Sequence, residues 1–271
     1  MAEKFRYLVI GAHADDCESA GGIVLKLKAL GHDVQFLVAT NGCSGHHVQM
    51  GGALVKRRLR ETAKVTALTG IPYHTLDLPD GSLTQGLSER GLMMRAIREL
   101  NPDVIITHRA WDYHPDHRNT SLLVQDCSFL LLVPNVNPMT APMKRMPAIF
   151  YIQDRFQKPI PFSPDLVFDI SAEWEMKLRM YHQYDSQMYE WLPWVDGVDM
   201  STIPADDEAR FEWLKHTRFG TRGEGYADQF RDQLIKKYGD AGRGARHAEA
   251  LECCEYGRRP SKEELHLLFP F

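Results

Sequence analysis

Apolar and polar positions follow two rhythms over the first hundred residues. Short apolar runs, partly β-branched and ended by Gly or Asn-Gly, fall at 7–11, 34–39 and 74–78, and a fourth at 103–107 follows Pro102. Each reads as a buried strand. Between them, helical spacing covers 18–30 up to Gly31, 52–68 up to Gly70 with Pro72 beyond, and 88–100. Strands separated by helices of this length predict βαβ units, hence a doubly wound α/β domain with a mostly parallel sheet flanked by helices. Ligands in such sheets bind beyond the carboxyl ends of the strands. The loops after Ile10 and after Thr107 are therefore where chemistry is expected.

The second half is less regular. Residues 122–133 read as a helix, 134–147 as a Pro/Met-rich loop, 150–152 and 166–170 as strands, and 172–184 as a helix. From Ser186 the chain is rich in Trp and charge, with flexible points at 220–225 and 239–244. The organisation expected is a Rossmann-like catalytic domain at 1–185 and an irregular C-terminal extension at 186–271. That extension packs on the domain as a lid or an oligomer contact. The apolar tail at 265–271 is expected to dock onto its own or a neighbouring subunit.

Composition narrows the function classes. The 271 residues are 44% hydrophobic and 25% charged, an ordinary globular balance. A formal net charge of −4 gives no electrostatic reason for a polyanion partner, which argues against nucleic acid. No apolar run approaches the roughly 18 residues of a membrane helix. The charged start leads straight into the first strand, so no signal peptide and no membrane anchor are expected. The five cysteines are odd in number and lack C-x-x-C spacing, which suits reduced thiols in a cytoplasmic protein.

The first functional loop reads His13-Ala14-Asp15-Asp16-Cys17-Glu18, and the second ends His114-Pro115-Asp116-His117. Imidazoles and carboxylates from two loops facing one crevice suit zinc, with three protein ligands leaving one open position. The plainer alternative is a helix cap in the first loop and a turn in the second. Both motifs at the carboxyl ends of two strands favour a metal site. No G-x-G-x-x-G follows the first strand, which disfavours a dinucleotide-binding module.

His13-Ala-Asp-Asp16 with Glu18 and Gly21-Gly22 resembles the A-H-P-D-D-x-E…G-G signature of the PIG-L/LmbE-like de-N-acetylases. His114-Pro-Asp-His117 is similar to that family's H-P-D-H element, Arg58-x-x-Glu61 to its R-x-x-E helix, and Asp80-Gly81 to its D-G turn. The likeness spans about residues 4–127; Ala14 stands where the family has Pro.

The resemblance implies a deacetylase using zinc, with ferrous iron the alternative metal, and His13, Asp16 and His117 as ligands. Asp15 would be the general base. His114 would polarise the carbonyl or protonate the departing amine. Arg58 would hold a sugar hydroxyl, against the plainer pairing with Glu61 three residues on. The implied substrate is a small N-acetylglucosamine-type sugar or conjugate that loses acetate. An amidase acting on a non-sugar acyl amide and a non-catalytic sugar-binding relative are the alternatives.

Four other features are open to either reading. His46 and His47 would touch substrate or be solvated; His108 would be a core or supporting histidine. Trp111 and Tyr113 would stack on a sugar or simply pack. Trp191-Leu-Pro-Trp194 would form a lid over the sugar or an oligomer contact, or pack within the core.

Overall fold

The computed structural model describes residues 3–271. Seven strands form one sheet: β1 (Arg6–Gly11), β2 (Asp33–Thr40), β3 (Tyr73–Leu78), β4 (Val104–Thr107), β5 (Ala148–Ile152), β6 (Leu166–Asp169) and β7 (Ala248–Cys253). Their order is β3-β2-β1-β4-β5-β7-β6. β1 to β5 are parallel, whereas β7 runs antiparallel to both its neighbours. The chain winds outward from β1 through β2 to β3, then returns to β4 on the other side. The crevice between the carboxyl ends of β1 and β4 is thus the topological switch point.

The crossovers are α1 (Gly21–Ala29), α2 (Gly51–Thr69) and α3 (Leu87–Leu100), followed by α4 (Pro115–Cys127) after β4. Period-two alternation sends Tyr7, Val9, Phe36, Val38, Val104 and Ile106 into one core layer. Leu8, Ile10, Leu37, Ala39 and Ile105 enter the other. Each central strand is buried on both faces, which is why these segments read as unbroken apolar runs.

Two boundaries differ in ways that matter. Residues 18–30 divide into a 3₁₀ turn at Cys17–Ala20 and then α1. The helix expected at 122–133 begins at Pro115 instead, with Pro at its first position and His114 as its N-cap. A 3₁₀ turn at Phe129–Leu132 completes the apolar stretch.

The C-terminal part is more regular than its composition suggests. After α5 (Trp174–His182) come the short α6 (Leu192–Val195), α7 (Asp207–Lys215), α8 (Arg218–Gln229), α9 (Arg231–Tyr238), α10 (Asp240–Arg243) and α11 (Lys262–Leu268). β7 lies hydrogen-bonded between β5 and β6, so a boundary at 186 runs through the sheet itself. The glycines at 220–225 are helical rather than flexible. Gly223 presses α8 against Trp174, and a Cβ there would lie 2.5 Å from the indole. The apolar tail docks on its own chain, with Phe269 packed against Tyr7, Phe150 and Phe168. Among the described residues no helix is long and apolar enough to cross a membrane.

Candidate metal centre

β1 ends at Gly11, whose backbone must pass close beneath the loop it feeds; a Cβ there would lie 2.7 Å from the Asp16 Cβ. The loop then turns back so that Asp16 Oδ2 accepts the Ala12 and His13 amides at 3.0 and 2.7 Å. Asp16 is thereby fixed against its own backbone with Oδ1 left toward the crevice. Asp15 occupies a positive φ of 96°, a conformation non-glycine residues adopt where the surroundings impose it.

Besides His108, whose Nε2 lies 3.3 Å from Oδ2, two imidazoles converge on this carboxylate. His13 Nδ1 lies 3.4 Å from Asp16 Oδ2, and His117 Nε2 lies 3.4 Å from Asp16 Oδ1. Each ring is gripped from behind by further carboxylates. His13 Nε2 is 3.1 Å from Asp80 Oδ1 and 3.2 Å from Asp116 Oδ2, while His117 Nδ1 is 3.1 Å from Asp112 Oδ1. A carboxylate on the far nitrogen fixes the orientation of a metal-binding histidine and raises its basicity. The carboxylates are themselves anchored: Asp116 accepts the Gly81 and Leu83 amides, and Asp80 the Ser44 amide.

The charge balance fits a cation. Burial works against ionisation of Asp16, Asp80, Asp112 and Asp116, yet histidine and backbone contacts hold all four below the ordinary carboxylate range. Burial likewise disfavours a charged His13, but Asp116, Asp16 and Asp80 together push its pKa well above the usual value. Four anionic groups gathered around a few imidazoles in a buried site leave negative charge for a divalent ion to neutralise.

Three groups of donors lie close enough to hold an ion: His13, His114 and His117; Asp16, His108 and His117; and His13, Asp80 and Asp116. The expected trio of His13, Asp16 and His117 is not itself one of these groups, although each of its members falls in at least one of them. Two of the alternatives include residues already engaged. His108 Nε2 accepts the Ala12 amide at 3.2 Å, and its ring stacks on His117 at 4.2 Å, a supporting position. Asp80 and Asp116 are held by backbone amides behind His13.

His114 stands half-buried beside this centre, its ring 4.7 Å from that of His13. Its Nδ1 accepts the Asp116 amide, capping α4. That places the proton of the neutral ring on Nε2, leaving Nε2 as a donor. Burial, then the nearby His13 and His117, lower its pKa, so the neutral ring is favoured.

Arg58, expected at a sugar hydroxyl, lies against Asp15 and Glu61. Its side chain is buried in α2, 3% exposed, where Nη2 donates to Asp15 Oδ1 at 2.8 Å and to the Ala14 carbonyl. Nη1 meets Glu61 and Ser186 at 3.3 Å each. Burial raises the Asp15 pKa, and Arg58 opposes that rise.

His46 and His47 turn out to pin a loop. His46 Nδ1 accepts the Val48 and Gln49 amides, and Nε2 sits 2.9 Å from Glu190. His47 stacks between His46 and Trp194, at 4.7 and 4.9 Å. Trp111 and Tyr113 remain exposed, and the Tyr113 ring lies 5.7 Å from that of His117, at the mouth of the crevice. Asp112 is the functional candidate that sequence reading missed. It lies inside the second motif's loop, but nothing in its spacing reveals that it grips His117.

The fold and the centre together define a doubly wound α/β domain with a histidine–carboxylate site at its switch point. Residues 8–128 match the PIG-L family, described as GlcNAc-PI de-N-acetylase. It is 29% identical over 202 residues to the diacetylchitobiose deacetylase of Thermococcus kodakarensis, covering 70% of this chain and 73% of the relative. The solved N,N′-diacetylchitobiose deacetylase from Pyrococcus horikoshii superposes with a TM-score of 0.69 at 21% identity, covering 94% of this chain and 85% of that one. The 4-carboxy-2-hydroxymuconate hydratase from Pseudomonas putida superposes with a TM-score of 0.70 at 19% identity, covering 96% and 99%. One fold thus carries different reactions, and the reaction must be argued from the site.

Proposed function

We propose that this protein hydrolyses the N-acetyl group of an N-acetylglucosamine-type sugar or small conjugate, releasing acetate and leaving the amine on the sugar. The observation that carries the reading is the paired presentation of His13 Nδ1 and His117 Nε2 to the two oxygens of Asp16. These three would hold one divalent ion, zinc by the mixed imidazole and carboxylate donors, with ferrous iron as the alternative. Such an ion supplies Lewis acidity toward an acyl oxygen and acidifies water.

The chain's own groups do the rest. Asp15, ionised against Arg58, takes the proton of the attacking water. His114 Nε2 donates a hydrogen bond to the developing oxyanion, and the proton collected by Asp15 passes to the departing amine. Asp80, Asp112 and Asp116 keep the two ligand histidines in register. Tyr113 offers an exposed ring at the mouth for a sugar face. The resemblance to diacetylchitobiose deacetylase favours an amino sugar over other amides. Acetate release from N,N′-diacetylchitobiose and N-acetylglucosamine, assayed beside N-acetyl amino acids, tests the substrate class. Turnover of the amino acids alone would reverse it.

A further inference from the structure

The amino ends of β1 and β4 open, on the side of the sheet away from the metal centre, into a cavity of about 460 Å³. Arg6 begins β1 there, and Asp103 precedes β4. The loop between the Phe129–Leu132 turn and β5 forms the opposite wall, contributing Lys144 and Arg145, and Arg258 closes it from the C-terminal segment. Arg98 lies beneath.

The cations in this cavity are poorly matched by carboxylates. Five positive side chains face two acids, Asp103 in the wall and Glu264 beside it, which leaves three positive charges. Arg145 and Arg258 share a single oxygen, Glu264 Oε1, at 2.6 and 2.9 Å. Arg6 Nε is 4.0 Å from Asp103, and Lys144 has no ion-pair partner among the described residues. The Arg258 Nε is buried without a hydrogen-bond partner, which in a folded protein calls for an explanation.

Arg98 is buried and donates only to carbonyl oxygens, those of Leu130, Leu131, Val133, Val136, Asn137 and Thr140. No carboxylate cancels its charge. It ties the Phe129–Leu132 turn to the first part of the loop that follows it. On a chain with a net charge of −4, gathering like charges around a concave site costs energy that a bound anion would recover.

We propose that this cavity is a second ligand site that takes a phosphate monoester on a hexose-sized body. Guanidinium groups match phosphate oxygens in pairs, and a dianion suits the surplus charge. The volume accommodates a small metabolite beyond its phosphate. The site is independent of the deacetylase reading.

The test is calorimetric titration of the full-length protein with glucose 6-phosphate at low ionic strength, with glucose and sulfate as comparators. Saturable binding at one site, weakened by added salt and absent for glucose, is expected. The exposed pair Lys144→Ser/Arg145→Ser should weaken it by about tenfold or more, with an unchanged unfolding midpoint. Lys144→Ser alone should weaken it to a lesser degree. Asp16→Ala, at the metal centre, should leave it intact. Several results would overturn the proposal. These are no binding at millimolar ligand, undiminished binding in both serine variants, loss of binding in Asp16→Ala, or sulfate binding as tightly as the sugar phosphate.

Discussion

Arg58 Nη2 donates to Asp15 Oδ1 at 2.8 Å from the interior of α2. Asp15 follows His13 by two positions and holds a positive φ of 96°. The guanidinium opposes the rise in the Asp15 pKa that burial causes.

Replacing that arginine gives the first prediction. Arg58→Gln removes the cation that opposes the burial-driven rise of the Asp15 pKa. A base must be ionised to act, so the acid limb of the kcat/KM profile should move to higher pH. At neutral pH kcat should fall by about 10- to 100-fold with little change in KM. A raised KM with an unmoved limb would instead place Arg58 on the sugar.

Asp112 is predicted to matter through His117. Asp112→Asn keeps the size but weakens the acceptor 3.1 Å from His117 Nδ1. Metal affinity, measured by competition with a chelator, should drop about 10- to 100-fold. An unchanged affinity would mean that the loop alone orients the imidazole.

Gly11→Ala tests the close passage under the first motif. The added methyl would sit 2.7 Å from the Asp16 Cβ and push that carboxylate off its amide contacts. The expected variant is folded by circular dichroism, binds little metal and releases no acetate. Full metal loading would show that the loop can yield.

A stability prediction rests on His247, far from the site. Its ring lies flat on Trp174, its Nδ1 is buried without a partner, and burial lowers its pKa to about 4. The folded state therefore keeps it neutral while the unfolded chain protonates near 6.5. Stability is complete above that value and declines as pH falls toward 4, by on the order of 2 kcal/mol. His247→Phe retains the stacking and removes the titration. Urea unfolding between pH 7 and 4 should then show a shallower decline, whereas parallel curves for the two proteins would exclude His247 as the cause.

What the sequence reveals follows from how local each cause is. β1 to β4 are visible because strands buried on both faces read as plain apolar runs, and the two motifs stand out at the switch point between β1 and β4. β7 is hidden because Ala-Glu-Ala-Leu-Glu-Cys carries helix formers and becomes a strand only between β5 and β6. For Arg58 the spacing points to Glu61, a contact that exists, but the partner that matters lies 43 positions away. His46 and the Trp191–Trp194 segment are unremarkable apart, and only folding brings His47 onto Trp194. Side-chain types announce a site; the groups that orient them depend on loop shape.

The most direct test of the central claim is elemental analysis of the purified protein and its Asp16→Ala variant, with acetate release from N,N′-diacetylchitobiose measured on the same samples. The account predicts about one zinc or iron per chain, as a single three-ligand site requires, lost in the variant together with acetate release. A protein that takes up no metal under any loading condition, or a variant that keeps both metal and activity, would contradict it.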